Sequence, residues 1–121
     1  MKRSSPDSSR GSGRQRKADQ GNGLYLNPVL SGDRPDPSVL KLGRDYYLVT
    51  SSFQSVPGLL IWHSKDLVNW EPVGPALRQY VGSVYAPDLV FHEGRFFVYF
   101  PAMRPDGVTN MVAFANNVQR P

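Results

Sequence analysis

Two stretches of this chain read alike about fifty residues apart. Pro35-Asp36 recurs as Pro87-Asp88, Gly43-Arg44 as Gly94-Arg95, and the aromatic pair Tyr46-Tyr47 as Phe96-Phe97. The offsets are 52, 51 and 50 residues, which two single-residue deletions reconcile. A unit of this length cannot bury its apolar face alone and needs a neighbouring copy. The motifs flank short runs rich in β-branched and aromatic residues, which favour strands. In the first unit these are residues 38–42, 46–52 and 59–64, and in the second 89–92, 97–100 and 111–115. No segment carries a long helical period, so the expected fold is all-β. A sandwich would also give short strands, but not motifs repeated in register. A repeat of successive antiparallel strands points to propeller blades, with blade one over about residues 23–80 and an incomplete blade two over about 81–121. A propeller removes its sheet edges by closing a ring of about four to eight blades. Two blades leave faces and edges bare, so the chain is expected to be part of a longer protein, with the missing blades as its partners.

The joining segments carry their own signals. Residues 24–30 are apolar with one proline and read as an edge segment or strand. Gly43-Arg44-Asp45 reads as a hairpin turn. Ser64, Asp66 and Asn69 have short side chains that bond nearby backbone N–H groups and hold a turn. Glu71-Pro72-Val73 reads as a short, ragged outer strand.

Charge separates a tail from the rest. Residues 1–22 carry six basic and two acidic side chains, net +4, whereas residues 23–121 carry eight of each sign. The basic pI therefore belongs to the tail, and the folded part has no electrostatic case for nucleic acid. Between Lys2 and Asn22 there is no Val, Leu, Ile, Met or aromatic residue, so residues 1–22 are expected to be a disordered leader without function. A weak polyanion contact is the alternative. The tail lacks the apolar region of a secretory signal, which favours a cytoplasmic location. No stretch reaches the length of a membrane span. The absence of cysteine excludes disulfides and thiolate metal sites. His63 stands on an apolar strand and His92 by a turn, without metal-ligand spacing, so neither metal nor cofactor is expected. Trp62 and Trp70 read as blade core.

Asp36 stands between two prolines. Pro35 and Pro37 fix their own φ, and Pro37 is expected to push Asp36 towards β or polyproline II geometry. A carboxylate held at the mouth of a strand suits a reacting group, and it equally suits an ordinary turn.

The ordered motifs resemble the family 43 glycoside hydrolases: β-xylosidases, α-L-arabinofuranosidases and arabinanases on a five-bladed β-propeller. The residues that carry the likeness are Asn27-Pro28-Val29-Leu30, Arg34-Pro35-Asp36-Pro37-Ser38, Asp45-Tyr46-Tyr47-Leu48-Val49-Thr50-Ser51-Ser52-Phe53, Pro57-Gly58, Ile61-Trp62-His63-Ser64-Lys65-Asp66-Leu67-Val68-Asn69-Trp70 and Tyr85-Ala86-Pro87-Asp88. The resemblance covers roughly residues 24–116. It implies hydrolysis with inversion of arabinose- or xylose-containing glycans, with Asp36 as general base and a second carboxyl as acid. The family's acid, a later Glu, and its tuning Asp have no counterpart here. Asp88 matches a second-blade position that lines or braces the site. Phe53 matches an aromatic near the innermost sugar. Tyr85 stands where the family usually has Trp and keeps most of that stacking surface. Gln54-Ser55-Val56 replaces another family aromatic, so substrate preference is expected to differ from that of the xylosidases. A non-catalytic sugar-binding or scaffolding module is the alternative from another class. The sucrose- and fructan-cleaving clan shares the propeller, but its Asn-Asp-Pro-Asn motif is absent.

Overall fold

The computed structural model describes residues 17–115. It is all-β among these residues, with eight strands in two antiparallel sheets. The first sheet is a meander of β1 (Ser38–Leu42), β2 (Asp45–Val49), β3 (Gly58–Ser64) and β4 (Glu71–Leu77). The second holds β5 (Ser83–Val84), β6 (Asp88–His92), β7 (Arg95–Arg104) and β8 (Gly107–Ala115). β8 pairs along β7 from Phe96 to Arg104. β6 and the two-residue β5 therefore share the other edge of β7, against its first and last residues respectively. No helix among the described residues is long and apolar enough to cross a membrane.

The two tight hairpins form where glycine permits the required backbone. Gly43 at the β1–β2 turn has φ 64°, while at the β6–β7 turn both Glu93 (49°) and Gly94 (81°) are positive, the signature of a type I′ turn. Asp45 is not part of its turn but begins β2. β4 runs to Leu77, well beyond the expected Val73, despite Pro72 and Pro75. It is an edge strand, where a proline without an N–H leaves no ladder bond unmade on the open side. A register shift at Ile61/Trp62 accommodates it.

The repeat holds, but its residue correspondence differs from the motif alignment. Ser38 pairs with Val49 and Leu42 with Asp45; Asp88 pairs with Tyr99 and His92 with Arg95. The second hairpin is the first moved by 50 residues throughout, with no deletions. The counterpart of Asp88 is thus Ser38, and the counterpart of Asp36 is Ala86. Pro-Asp and Gly-Arg recur as letters two and one places out of register.

The core lies between the sheets. Tyr47 and Val49 of β2 and Leu59 and Ile61 of β3 face Leu89 of β6 and Phe96, Val98, Phe100 and Ala102 of β7, with Val84 beside them. The alternate residues of β7 point away, as period-two geometry requires: Tyr99 and Met103 are exposed while Phe100 and Ala102 are buried. Tyr47 and Phe96 meet edge-on across the interface at 5.6 Å. On the other face of the first sheet, Trp62 is buried beneath the guanidinium of Arg34, 4.9 Å from its ring. Trp70 is half-buried at the edge.

Two expectations about the chain's beginning need correction. Residues 24–30 do not form a strand; Tyr25 alone bridges to Asp19. Within residues 17–22, expected to belong to the tail, Ala18 and Asp19 are tied to the folded part. Leu26 N–H donates to Ala18 O at 3.0 Å, Ala18 is buried, and Asn69 Nδ2 donates to Asp19 Oδ2 at 2.8 Å. Composition could not reveal that a single alanine would find a core position. Residues 1–16 of the expected leader lie outside the described residues.

Candidate active site

Asp36, Phe53, Tyr85 and Asp88 all lie at one end of the inner strands, where the two sheets meet. Asp36 precedes β1, Phe53 follows β2, and Tyr85 and Asp88 lie before and at the start of β6. The expected extended geometry of Asp36 is overturned: its φ is 55°, in the left-handed region. Aspartate is among the few residues that visit this region readily. Phe53 (52°) and Ala86 (45°) share it, as does Leu59 (52°) just beyond. Such strained residues cluster where the fold must aim groups at a site.

Ser51 joins these segments. Its backbone N–H donates to Pro35 O at 3.1 Å. Its hydroxyl donates to Asp36 Oδ2 at 2.6 Å and accepts the N–H of Ala86 at 2.7 Å. The first of these has the length of a charge-assisted O–H···O⁻ bond. Asp36 Oδ1 has no bonded partner among the described residues, and the residue is exposed. Two residues on, Phe53 and Val84 exchange both backbone bonds, at 2.7 and 3.0 Å, so the sheets are stitched together under the site. Phe53 remains 41% exposed. Tyr85 is half-buried, and its N–H donates to Pro101 O at 3.3 Å.

Ser38 repeats the arrangement of Ser51 around the other carboxylate. Its hydroxyl donates to Asp88 Oδ1 at 3.3 Å and accepts the N–H of Leu89 at 3.0 Å. Ser38 and Ser51 thus each take a backbone N–H of the second unit and give their own proton to an aspartate. Sequence reasoning missed both serines as site residues. Ser51 is nearly inaccessible, at 4% exposure. A buried serine directly after a strand of buried residues is a legible oddity, but its partners stand 15 and 35 residues away and cannot be read from the chain.

The opposite end of the first sheet has different chemistry. His63 Nε2 and Asp45 Oδ1 are 2.6 Å apart, and Lys65 Nζ donates to the same oxygen at 2.9 Å. The bond with His63 and then that with Lys65 hold the Asp45 carboxyl below its ordinary value. Ser64, Asp66 and Asn69 form the expected turn. Asp66 Oδ1 accepts the N–H groups of Asn69 at 2.8 Å and Val68 at 2.9 Å, and Ser64 Oγ those of Asp66 and Leu67. The bonds from Asn69, backbone and side chain, and from Val68 hold Asp66 far below the usual carboxylate range. His63 is therefore a hydrogen-bonded strand residue. Among the described residues no cluster of three or more His, Asp or Glu is arranged to hold a metal. Glu71 pairs with His63 in the sheet, and Glu93 sits in the β6–β7 turn. Both lie at the end of the strands away from Asp36. An open groove of about 420 Å³ runs over the other face of the first sheet, past Pro28, Leu30, Pro37 and Trp70. None of the four candidate residues lines it.

The model of glycosyl hydrolases family 43 matches residues 25–121. A non-reducing end alpha-L-arabinofuranosidase of Bacteroides ovatus is 44% identical over 85 residues, covering 61% of this chain and 16% of that protein. A beta-xylosidase of Bacillus subtilis is 42% identical over 84 residues, with the same coverage. Among solved structures, a variant of the family 43 protein BlXynB of Bacillus licheniformis superposes with a TM-score of 0.72 at 32% identity, over 80% of this chain and 23% of that one. A xylan beta-1,4-xylosidase of Bacillus halodurans superposes at 0.70 and 34% identity, over 78% and 21%. The chain belongs to glycosyl hydrolases family 43. It spans about 16% of the length of these curated relatives.

Proposed function

We propose that this chain supplies the general base and part of the innermost sugar subsite of a glycosidase that cleaves arabinose- or xylose-containing glycans with inversion, on a five-bladed propeller. The observation that carries the reading is the state of the Asp36 carboxylate. One oxygen is held by Ser51 at 2.6 Å, and the other accepts no bond among the described residues and belongs to an exposed residue. A base needs this combination: a fixed carboxylate plane and one free acceptor for the proton of the attacking water. As the water's oxygen attacks the anomeric carbon, Asp36 takes its proton, and a second carboxyl protonates the departing glycosidic oxygen. Phe53 offers a partly exposed ring for the apolar face of a sugar, and Tyr85 a second. Asp88, bonded to Ser38, braces the junction of the two sheets.

Neither described glutamate stands where such an acid is needed. An inverting pair stands about 6.5–9.5 Å apart. Glu93 lies past the far end of β6, whose five residues alone extend over roughly 13 Å. Glu71 lies at the far end of the first sheet. Among the described residues no glutamate stands beside Asp36, which leaves a second reading, a sugar-binding module without turnover.

The test is Asp36→Asn in the protein expressed from its complete coding sequence, assayed on 4-nitrophenyl β-D-xyloside and α-L-arabinofuranoside. Asparagine tolerates the positive φ and still accepts the bond from Ser51. Turnover should fall by about 10²–10⁴ while xylose or arabinose binding stays measurable. Unchanged turnover refutes Asp36 as base. A wild type that binds sugar but never turns over selects the second reading.

A further inference from the structure

We infer that Ser51 is a positioning residue for Asp36, setting the aim of the base through a hydroxyl that is itself fixed by the second unit. The inference rests on the proposed role of Asp36. The protons and lone pairs available fix the bonding. The amide N–H of Ala86 can only donate, so at 2.7 Å it occupies a lone pair of Ser51 Oγ. The carboxylate of Asp36 can only accept, so at 2.6 Å it takes the single hydroxyl proton. The rotor of Ser51 therefore has one orientation available, and the two bonds polarise each other in the same sense. Burial of Ser51 at 4% exposure keeps water from competing for either bond. The backbone adds a third tie, since Ser51 N–H donates to Pro35 O, immediately before Asp36.

The two residues that Ser51 joins are structural counterparts. Asp36 and Ala86 are the left-handed residues just before a proline and an inner strand in the two units. A left-handed turn before β1 aims the carboxylate at the sheet junction. Ser51 then couples that aim to the matching turn before β6. The same hydroxyl leaves Asp36 Oδ1 open, so it orients the base without occupying the oxygen that works.

The experiment compares Ser51→Ala, Ser51→Thr and Asp36→Asn in the protein expressed from its complete coding sequence, with steady-state kinetics on 4-nitrophenyl β-D-xyloside and α-L-arabinofuranoside. Misaiming a reacting group costs about 10–100-fold. Ser51→Ala should lose that factor in kcat, with KM within about threefold. Ser51→Thr keeps the hydroxyl and should recover most of the loss. If Ser51→Ala does not fold, Ser51→Cys takes its place with the same expectation, because the thiol is a poorer donor of similar shape. Wild-type kcat in Ser51→Ala, a loss confined to KM, or equal losses in Ala and Thr would each overturn the inference. Loss of turnover in Asp36→Asn with no change in Ser51→Ala would overturn the role of Ser51 alone. Retained turnover in Asp36→Asn would remove the base on which it rests.

Discussion

Leu59 tests whether the backbone strain around the site is real. The side chain is fully buried at the centre of the core between the sheets, yet its φ is 52°. Leu59→Ala removes three carbons, worth about 0.8 kcal/mol each in transfer, and leaves a cavity that brings the loss to about 3–4 kcal/mol. Alanine keeps the Cβ, so a strain of about 1–2 kcal/mol in the left-handed region persists in both. Leu59→Gly loses one more carbon, about 0.8 kcal/mol, and about 0.5–1 kcal/mol of chain entropy, but it relieves that strain. The two opposing sums nearly cancel. The Gly and Ala variants should therefore agree within about 0.5 kcal/mol, whereas at an ordinary buried strand position these figures put glycine about 1.5 kcal/mol lower. The Ser52 hydroxyl that receives the Leu59 N–H at 3.0 Å is untouched in both. Urea unfolding followed by the fluorescence of buried Trp62 measures the difference. A glycine variant lower by about 1.5 kcal/mol, or an alanine variant losing less than about 1 kcal/mol, would refute the reasoning.

Two further outcomes follow from the bonding described above. Asp66→Ala should cost about 1 kcal/mol at neutral pH, because its carboxylate caps two backbone N–H groups. Its folded value is depressed, so that contribution is whole above the unfolded value near 3.9 and is lost as pH falls through the folded one. The gap in urea midpoint between wild type and variant should narrow in acid; a gap of constant width contradicts the assignment. Phe53→Ala removes the ring of a residue that is 41% exposed while leaving the backbone bridge to Val84 intact. KM for the aryl glycosides should rise about threefold to tenfold with the melting temperature nearly unchanged, and a loss of stability without a change in KM would make Phe53 a packing residue only.

The fold was legible wherever turn chemistry and period-two patterning agreed, and illegible where neighbours distant in sequence decided. The hairpins at Gly43-Arg44 and Glu93-Gly94 announce themselves by glycine between aromatic and β-branched runs. β5 does not, since two residues carry no period. β4 showed only as the ragged stretch Glu71–Val73, because its continuation past Pro75 to Leu77 depends on its being an edge strand. The repeat was visible as motifs, but pairing Pro35-Asp36 with Pro87-Asp88 put Asp88 in the place that Ala86 holds. Only the register of the ladders, moved by 50 residues, reveals Ser38 as the counterpart of Asp88. Asp36 stood out because prolines flank it, although they did not determine its φ. Ser51 did not stand out, because its importance lies in what folding brings to its hydroxyl.

The most direct measurement is a proton NMR time course of 4-nitrophenyl β-D-xyloside cleavage by the protein expressed from its complete coding sequence, run beside its Asp36→Asn variant. Wild type should release α-xylose first, before mutarotation, and the variant should release almost none. β-Xylose as the first product, or wild-type release from Asp36→Asn, would contradict an inverting reaction with Asp36 as its base.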